Sequence, residues 1–69
     1  MKPLTPREGE VLAYIKAHVK RYECAPTRLE IGQELGMSRP TAELHLQRIR
    51  DKGYIVLRTQ WRGIFLKAK

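Results

Sequence analysis

The stretch Gly36-Met37-Ser38 constrains this chain more than any other part of it. A glycine suits the left-handed residue that closes a helix, and a serine suits the residue that opens one. One helix therefore stops and another starts within three residues. Two helices separated by so short a turn make a helix-turn-helix signature. The sequence on both sides supports it. Thr27-Arg28-Leu29-Glu30, with Pro26 just ahead, is a capping box: a Thr that accepts from the third helical N–H, and a Glu that reaches back. Ile31 and Leu35 follow one turn apart on the buried side, which predicts a short helix over about 28–35. After the turn, Ser38 caps a helix whose first turn tolerates Arg39-Pro40, because the N–H groups there lack intrahelical partners. Ala42, Leu46 and Ile49 share a face, with His45 at its margin. Lys52 lies near the negative pole and Gly53 ends the helix, giving about 39–51.

A further capping box, Thr5-Pro6-Arg7-Glu8, opens the chain's first helix, with proline at the first helical position. Val11, Leu12, Ile15, Val19 and Tyr22 then fall on one face at 100° per residue, with His18 at its edge, so this helix spans about 6–22. Gly9 costs it about 1 kcal/mol of propensity, which packing must offset. Past Gly53 the period changes. Tyr54-Ile55-Val56-Leu57-Arg58 and Ile64-Phe65-Leu66 are short β-rich runs joined by Thr59-Gln60-Trp61-Arg62-Gly63. They predict a β-hairpin over about 54–67, with Ile55, Leu57, Ile64 and Leu66 inward and Val56 and Phe65 outward. The fold class that follows is mainly α with a small β-hairpin: a three-helix winged helix-turn-helix, as one domain over 1–69.

Composition narrows what such a fold does. A domain of 69 residues buries only about 60% of its unfolded surface, too little core to enclose a separate active site. No paired acid–base constellation is present, so an enzyme is not expected. The chain carries 14 Lys+Arg against 7 Asp+Glu, a net charge of +7. Residues 1–36 hold six basic and five acidic side chains; residues 37–69 hold eight basic and two acidic. A charge needed only for solubility would spread evenly, whereas this one sits on the half that follows the turn. An anionic partner is expected, nucleic acid or a membrane surface. No apolar run approaches the ~20 residues of a membrane span. A single cysteine, Cys24, argues against a disulfide-stapled secreted protein, and Met1-Lys2-Pro3-Leu4 does not open a signal peptide. A cytoplasmic location is expected. Cys24, His18 and His45 stand apart, so no metal and no cofactor is expected.

The outer face of the helix after the turn carries Pro40, Leu44, Gln47 and Asp51, flanked by Thr41 and Arg48 on one side and Glu43 and Arg50 on the other. In a DNA major groove, Leu44 or the Thr41 methyl meets a thymine methyl, and Glu43 accepts from a cytosine amino group. Gln47 pairs with adenine, and Arg48 with guanine or phosphate. The plainer alternative is an exposed face with one stray leucine. Arg62 is expected on phosphate. Trp61 beside it either lies along the DNA or folds back over a small core. Thr27 and Arg28, opening the second helix, are expected to hold a phosphate, and Thr27 also serves as a cap. The outward pair Val56/Phe65 either receives a second copy or a protein partner, or simply stabilises a two-stranded ribbon.

The chain resembles the N-terminal DNA-binding domain of LexA-type SOS repressors. The likeness rests on Leu4-Thr5-Pro6-Arg7 with Glu10-Val11-Leu12, and on Pro26-Thr27-Arg28-Leu29-Glu30-Ile31-Gly32-Gln33-Glu34-Leu35-Gly36. It continues through His45-Leu46, Lys52-Gly53-Tyr54-Ile55 and Arg62-Gly63-Ile64. It implies a sequence-specific repressor of double-stranded DNA, with Ser38, Pro40, Thr41, Glu43 and Leu44 as base-reading positions and Arg39 beside them in the first turn. There are departures. The turn is one residue shorter than the family pattern, and Pro40 and Leu44 replace an Asn and a Glu of enteric members. The likeness therefore does not carry the family's usual operator with it. The lone serine, Ser38, is a helix cap, so no Ser–Lys dyad of the family's self-cleaving domain is expected in these residues. One domain covers one half-site, so either weak binding alone or a homodimer on a repeated or palindromic site is expected. Two other functions fit the same fold: a protein-interaction adaptor working through Val56/Phe65, and a phage excision or replication factor.

Overall fold

The computed structural model of the protein describes residues 2–59 and 62–67. Among these the order is α1 (Pro6–Tyr22), α2 (Arg28–Leu35), α3 (Arg39–Asp51), β1 (Ile55–Leu57) and β2 (Ile64–Leu66). The two strands pair antiparallel, with Ile55 opposite Leu66, Val56 opposite Phe65 and Leu57 opposite Ile64. This is a winged helix-turn-helix. One core joins the elements: Val11, Leu12 and Ile15 from α1, Ile31 from α2, Ala42, Leu46 and Ile49 from α3, and Ile55 and Ile64 from the hairpin are all buried.

Local chemistry starts each helix. Thr5 Oγ1 accepts from the Glu8 N–H at 3.2 Å, and Glu8 Oε1 accepts from the Thr5 N–H at 3.1 Å. The same reciprocal pair forms between Thr27 and Glu30, at 3.1 and 2.8 Å. Ser38 caps α3, accepting from the Thr41 N–H at 3.3 Å. At the turn, Gly36 is left-handed (φ 69°), and Gly32 accepts from the Met37 N–H at 2.9 Å.

Glu8 does more than cap. Its side chain is buried, and Oε1 also accepts from Lys52 Nζ at 2.5 Å. This pair joins the start of α1 to the end of α3. The Lys52 ammonium, then the Thr5 N–H, hold the Glu8 carboxyl below the ordinary carboxylate range. Arg7 reaches the other way, donating from Nη2 to the Leu35 carbonyl at 2.5 Å and so closing the end of α2 against α1.

Two apolar expectations need correction. Leu66 is exposed rather than inward: it is the last residue of β2, at the open end of the hairpin, and the fully buried strand residues are Ile55 and Ile64. Tyr22, expected on the buried face of the first helix, is exposed as the last residue of that helix. Its ring sits against His18 at 4.6 Å between centroids, with the Arg21 guanidinium 5.4 Å from its centre.

Candidate nucleic-acid interface

The face of α3 opposite Ala42, Leu46 and Ile49 is open to solvent. Pro40, Thr41, Leu44, Gln47 and Arg48 are exposed along it, as are Ser38 and Arg39 at its start. Leu44, at 46% exposure, stands in the middle of this polar stripe. The Ser38 hydroxyl donates to Thr41 Oγ1 at 2.9 Å, so the two hydroxyls at the helix start are held together. Arg39, Arg48 and Arg58 are exposed cations with no ion-pair partner among the described residues. His45 lies at the margin of α3, its Nδ1 buried without a hydrogen-bond partner.

Glu43 is half-buried and tied on both sides. Arg28 Nε donates to Oε1, and Gln47 Nε2 donates to Oε2 at 3.3 Å. The Arg28 hydrogen bond is the main reason its carboxyl lies below the ordinary range. Arg28, expected on phosphate, thus has a partner inside the protein: it bridges from the start of α2 to the second turn of α3. Thr27 is the α2 cap.

Arg62 departs further from expectation. It is left-handed (φ 56°), and its guanidinium turns back into the protein instead of outward to phosphate. Nη1 donates to Glu30 Oε1 at 2.8 Å and to the Ala25 carbonyl at 2.9 Å, and Nη2 donates to Glu30 Oε2 at 3.2 Å. The physical reason is that the capping box has already fixed the Glu30 carboxylate, which then presents two oxygens in the fork geometry arginine prefers. Arg62, followed by the Thr27 N–H, lowers the Glu30 pKa to about 2. His18 completes the cluster. Its Nδ1 donates to the Cys24 carbonyl at 2.7 Å, and its Nε2 lies 3.9 Å from Glu30 Oε1. Glu30 therefore links α1, α2 and the wing. The sequence marked Glu30 only as a cap; the one available hint was its second oxygen, which a capping box leaves without a partner.

Val56 and Phe65 face each other across the ribbon, Phe65 at 44% exposure. Trp61, expected at the hairpin tip, lies outside the described residues. No helix among the described residues is long and apolar enough to cross a membrane.

Residues 1–61 match the family model for the LexA DNA binding domain. The chain belongs to that family. The LexA repressor of Aeromonas hydrophila is 52% identical to it over 56 residues, covering 80% of this chain and 27% of the repressor. The LexA repressors of Tolumonas auensis, at 50% identity, and Pseudomonas aeruginosa, at 46%, cover the same share of this chain and 27% and 28% of their own. The chain thus spans about a quarter of the length of these relatives. The LexA match takes in the three helices and β1 and stops before Arg62 and β2.

Proposed function

We propose that this chain is a sequence-specific, double-stranded-DNA-binding domain of a transcriptional repressor, with α3 in the major groove and the wing against the backbone. One observation carries the reading: α3 buries a full apolar face yet leaves open an outward stripe of Ser38, Pro40, Thr41, Leu44 and Gln47, bordered by exposed Arg39 and Arg48. A helix about 10–12 Å across with its side chains fits a groove about 12 Å wide. In that groove the Thr41 methyl and Leu44 suit a thymine methyl, Gln47 suits adenine, and Glu43 accepts from a base amino group. Arg39, Arg48 and, on the wing, Arg58 supply the phosphate contacts that set register and carry no sequence information themselves. Membership of the LexA family supports the same reading.

One domain covers one half-site, so two copies bind a repeated or palindromic site. The test is selection of bound duplexes from a random pool, followed by titration at several salt concentrations. A defined motif is expected, with log affinity falling against log salt at a slope of about −0.9 per phosphate neutralised. Thr41→Ala changes which bases are preferred, whereas Arg58→Ala weakens all duplexes alike. Binding without base preference, or none, would overturn the reading.

A further inference from the structure

The tie between Arg28 and Glu43 bears on how a base is chosen. Glu43 lies in the second turn of α3, within the N-terminal part of a recognition helix that reaches base edges. An ionised carboxylate only accepts hydrogen bonds, at about four lone-pair sites on two oxygens. Arg28 Nε occupies one site on Oε1 and Gln47 Nε2 one on Oε2. Each oxygen keeps acceptor capacity, and the side chain retains 36% exposure. A glutamate on a bare helix surface samples many rotamers and loses that freedom on binding. This one is held from two directions beforehand, once from its own helix and once from α2. Arg28 is itself only 23% exposed at its side chain, so the brace is partly shielded from solvent.

We propose that Arg28 is a positioning residue for base recognition. Reaching from the first turn of α2, it fixes the Glu43 carboxylate as an acceptor for the exocyclic amino group of a cytosine or adenine, and so sets the preference at one base pair without touching it. Guanine and thymine present carbonyl acceptors at the corresponding edge and repel the carboxylate. The inference rests on the proposed placement of α3 in the groove. It gives Arg28 a different job from a phosphate contact, which would add affinity equally to every sequence.

The experiment uses the 69-residue chain and the duplex selected above, with each position changed in turn to all four bases. The quantity read is the ratio of affinities for two duplexes on one protein preparation, from which any unfolded fraction cancels. Glu43→Gln identifies the position at which discrimination falls, by about tenfold. Arg28→Gln is expected to lower the ratio several-fold at that same position, and the double variant to discriminate no worse than Glu43→Gln alone. Arg28→Lys keeps the charge but lacks the Nε–H that grips Oε1. It is expected to lose discrimination while the salt slope stays unchanged.

Two results overturn the proposal, and they are distinguishable. If Glu43→Gln shifts the ratio but Arg28→Gln weakens every duplex equally and lowers the salt slope by about one, Arg28 is a phosphate contact and only the positioning role falls. If Glu43→Gln shifts no ratio at any position, base reading by Glu43 falls and the positioning role falls with it.

Discussion

A methyl group on Gly32 would sit 2.6 Å from the Met37 carbonyl oxygen, closer than side-chain carbons approach backbone. Gly32 faces the turn, and its own carbonyl accepts from the N–H groups of Gly36 and Met37. The close approach is therefore built into the way α2 ends and α3 begins. Gly32→Ala must push the turn outward, at a cost of about 1–3 kcal/mol by analogy with overpacked cores. Chemical denaturation should show that loss. DNA affinity should fall by more than the lost folded fraction explains, because α3 is displaced from α2. Gly9→Ala is the control. A Cβ there meets nothing within 4 Å, and the helix gains about 1 kcal/mol of propensity. Equal behaviour of the two variants would mean that the Gly32 contact does not set the turn.

At the scale of elements, the helices and the hairpin are stabilised differently. Each helix is started by its own side chains, through two complete capping boxes and one serine cap. The hairpin is a pair of three-residue strands, and a two-stranded ribbon is marginal without support. Ile55 and Ile64 anchor one face in the core, while Val56 and Phe65 pair across the other. Cross-strand pairs of this kind contribute up to about 1 kcal/mol. Phe65→Ser is expected to lower stability by roughly that amount. Sedimentation at high concentration should be the same for both proteins. An associated species that forms in the parent and vanishes in Phe65→Ser would instead make this pair a contact between copies.

Across the whole molecule, carboxylates hold the elements in register. Glu8 joins α1 to the end of α3, Glu30 joins α2 to the wing and approaches His18 of α1, and Glu43 joins α3 to α2. All three carboxyls are held below their ordinary range, Glu30 at about 2 against 4.5. A folded pKa below the unfolded one means that the unfolded chain binds protons more readily in acid. The stabilisation from Glu30 is thus complete above about pH 4.5, and is lost as pH falls toward about 2. Glu30→Gln keeps an acceptor for the Thr27 N–H but gives up the charged pair with Arg62. Denaturation midpoints at pH 7 and pH 3 should lie closer together in this variant than in the parent. An unchanged gap would show that the pair does not contribute to the acid response.

Local chemistry is what the sequence determined by itself. A cap and the groups it satisfies lie within four residues, so Thr5, Thr27, Ser38 and Gly36 mark helix ends wherever the helices are later placed. The apolar periodicity likewise separates the buried face of α3 from the stripe of Pro40, Thr41, Leu44 and Gln47, because 100° per residue is a property of the helix alone. Tertiary structure decided the partners of long charged side chains. Arg62 could extend to solvent or fold back. It folds back because Glu30, 32 residues away in sequence, holds two oxygens where its guanidinium can reach. Arg28 meets Glu43 for the same reason, across 15 residues. Leu66 and Tyr22 lie on faces that periodicity marks as inward, yet both are exposed, each as the last residue of its element. A periodic pattern gives the direction of a side chain; whether something waits there depends on how the helices and the wing are packed.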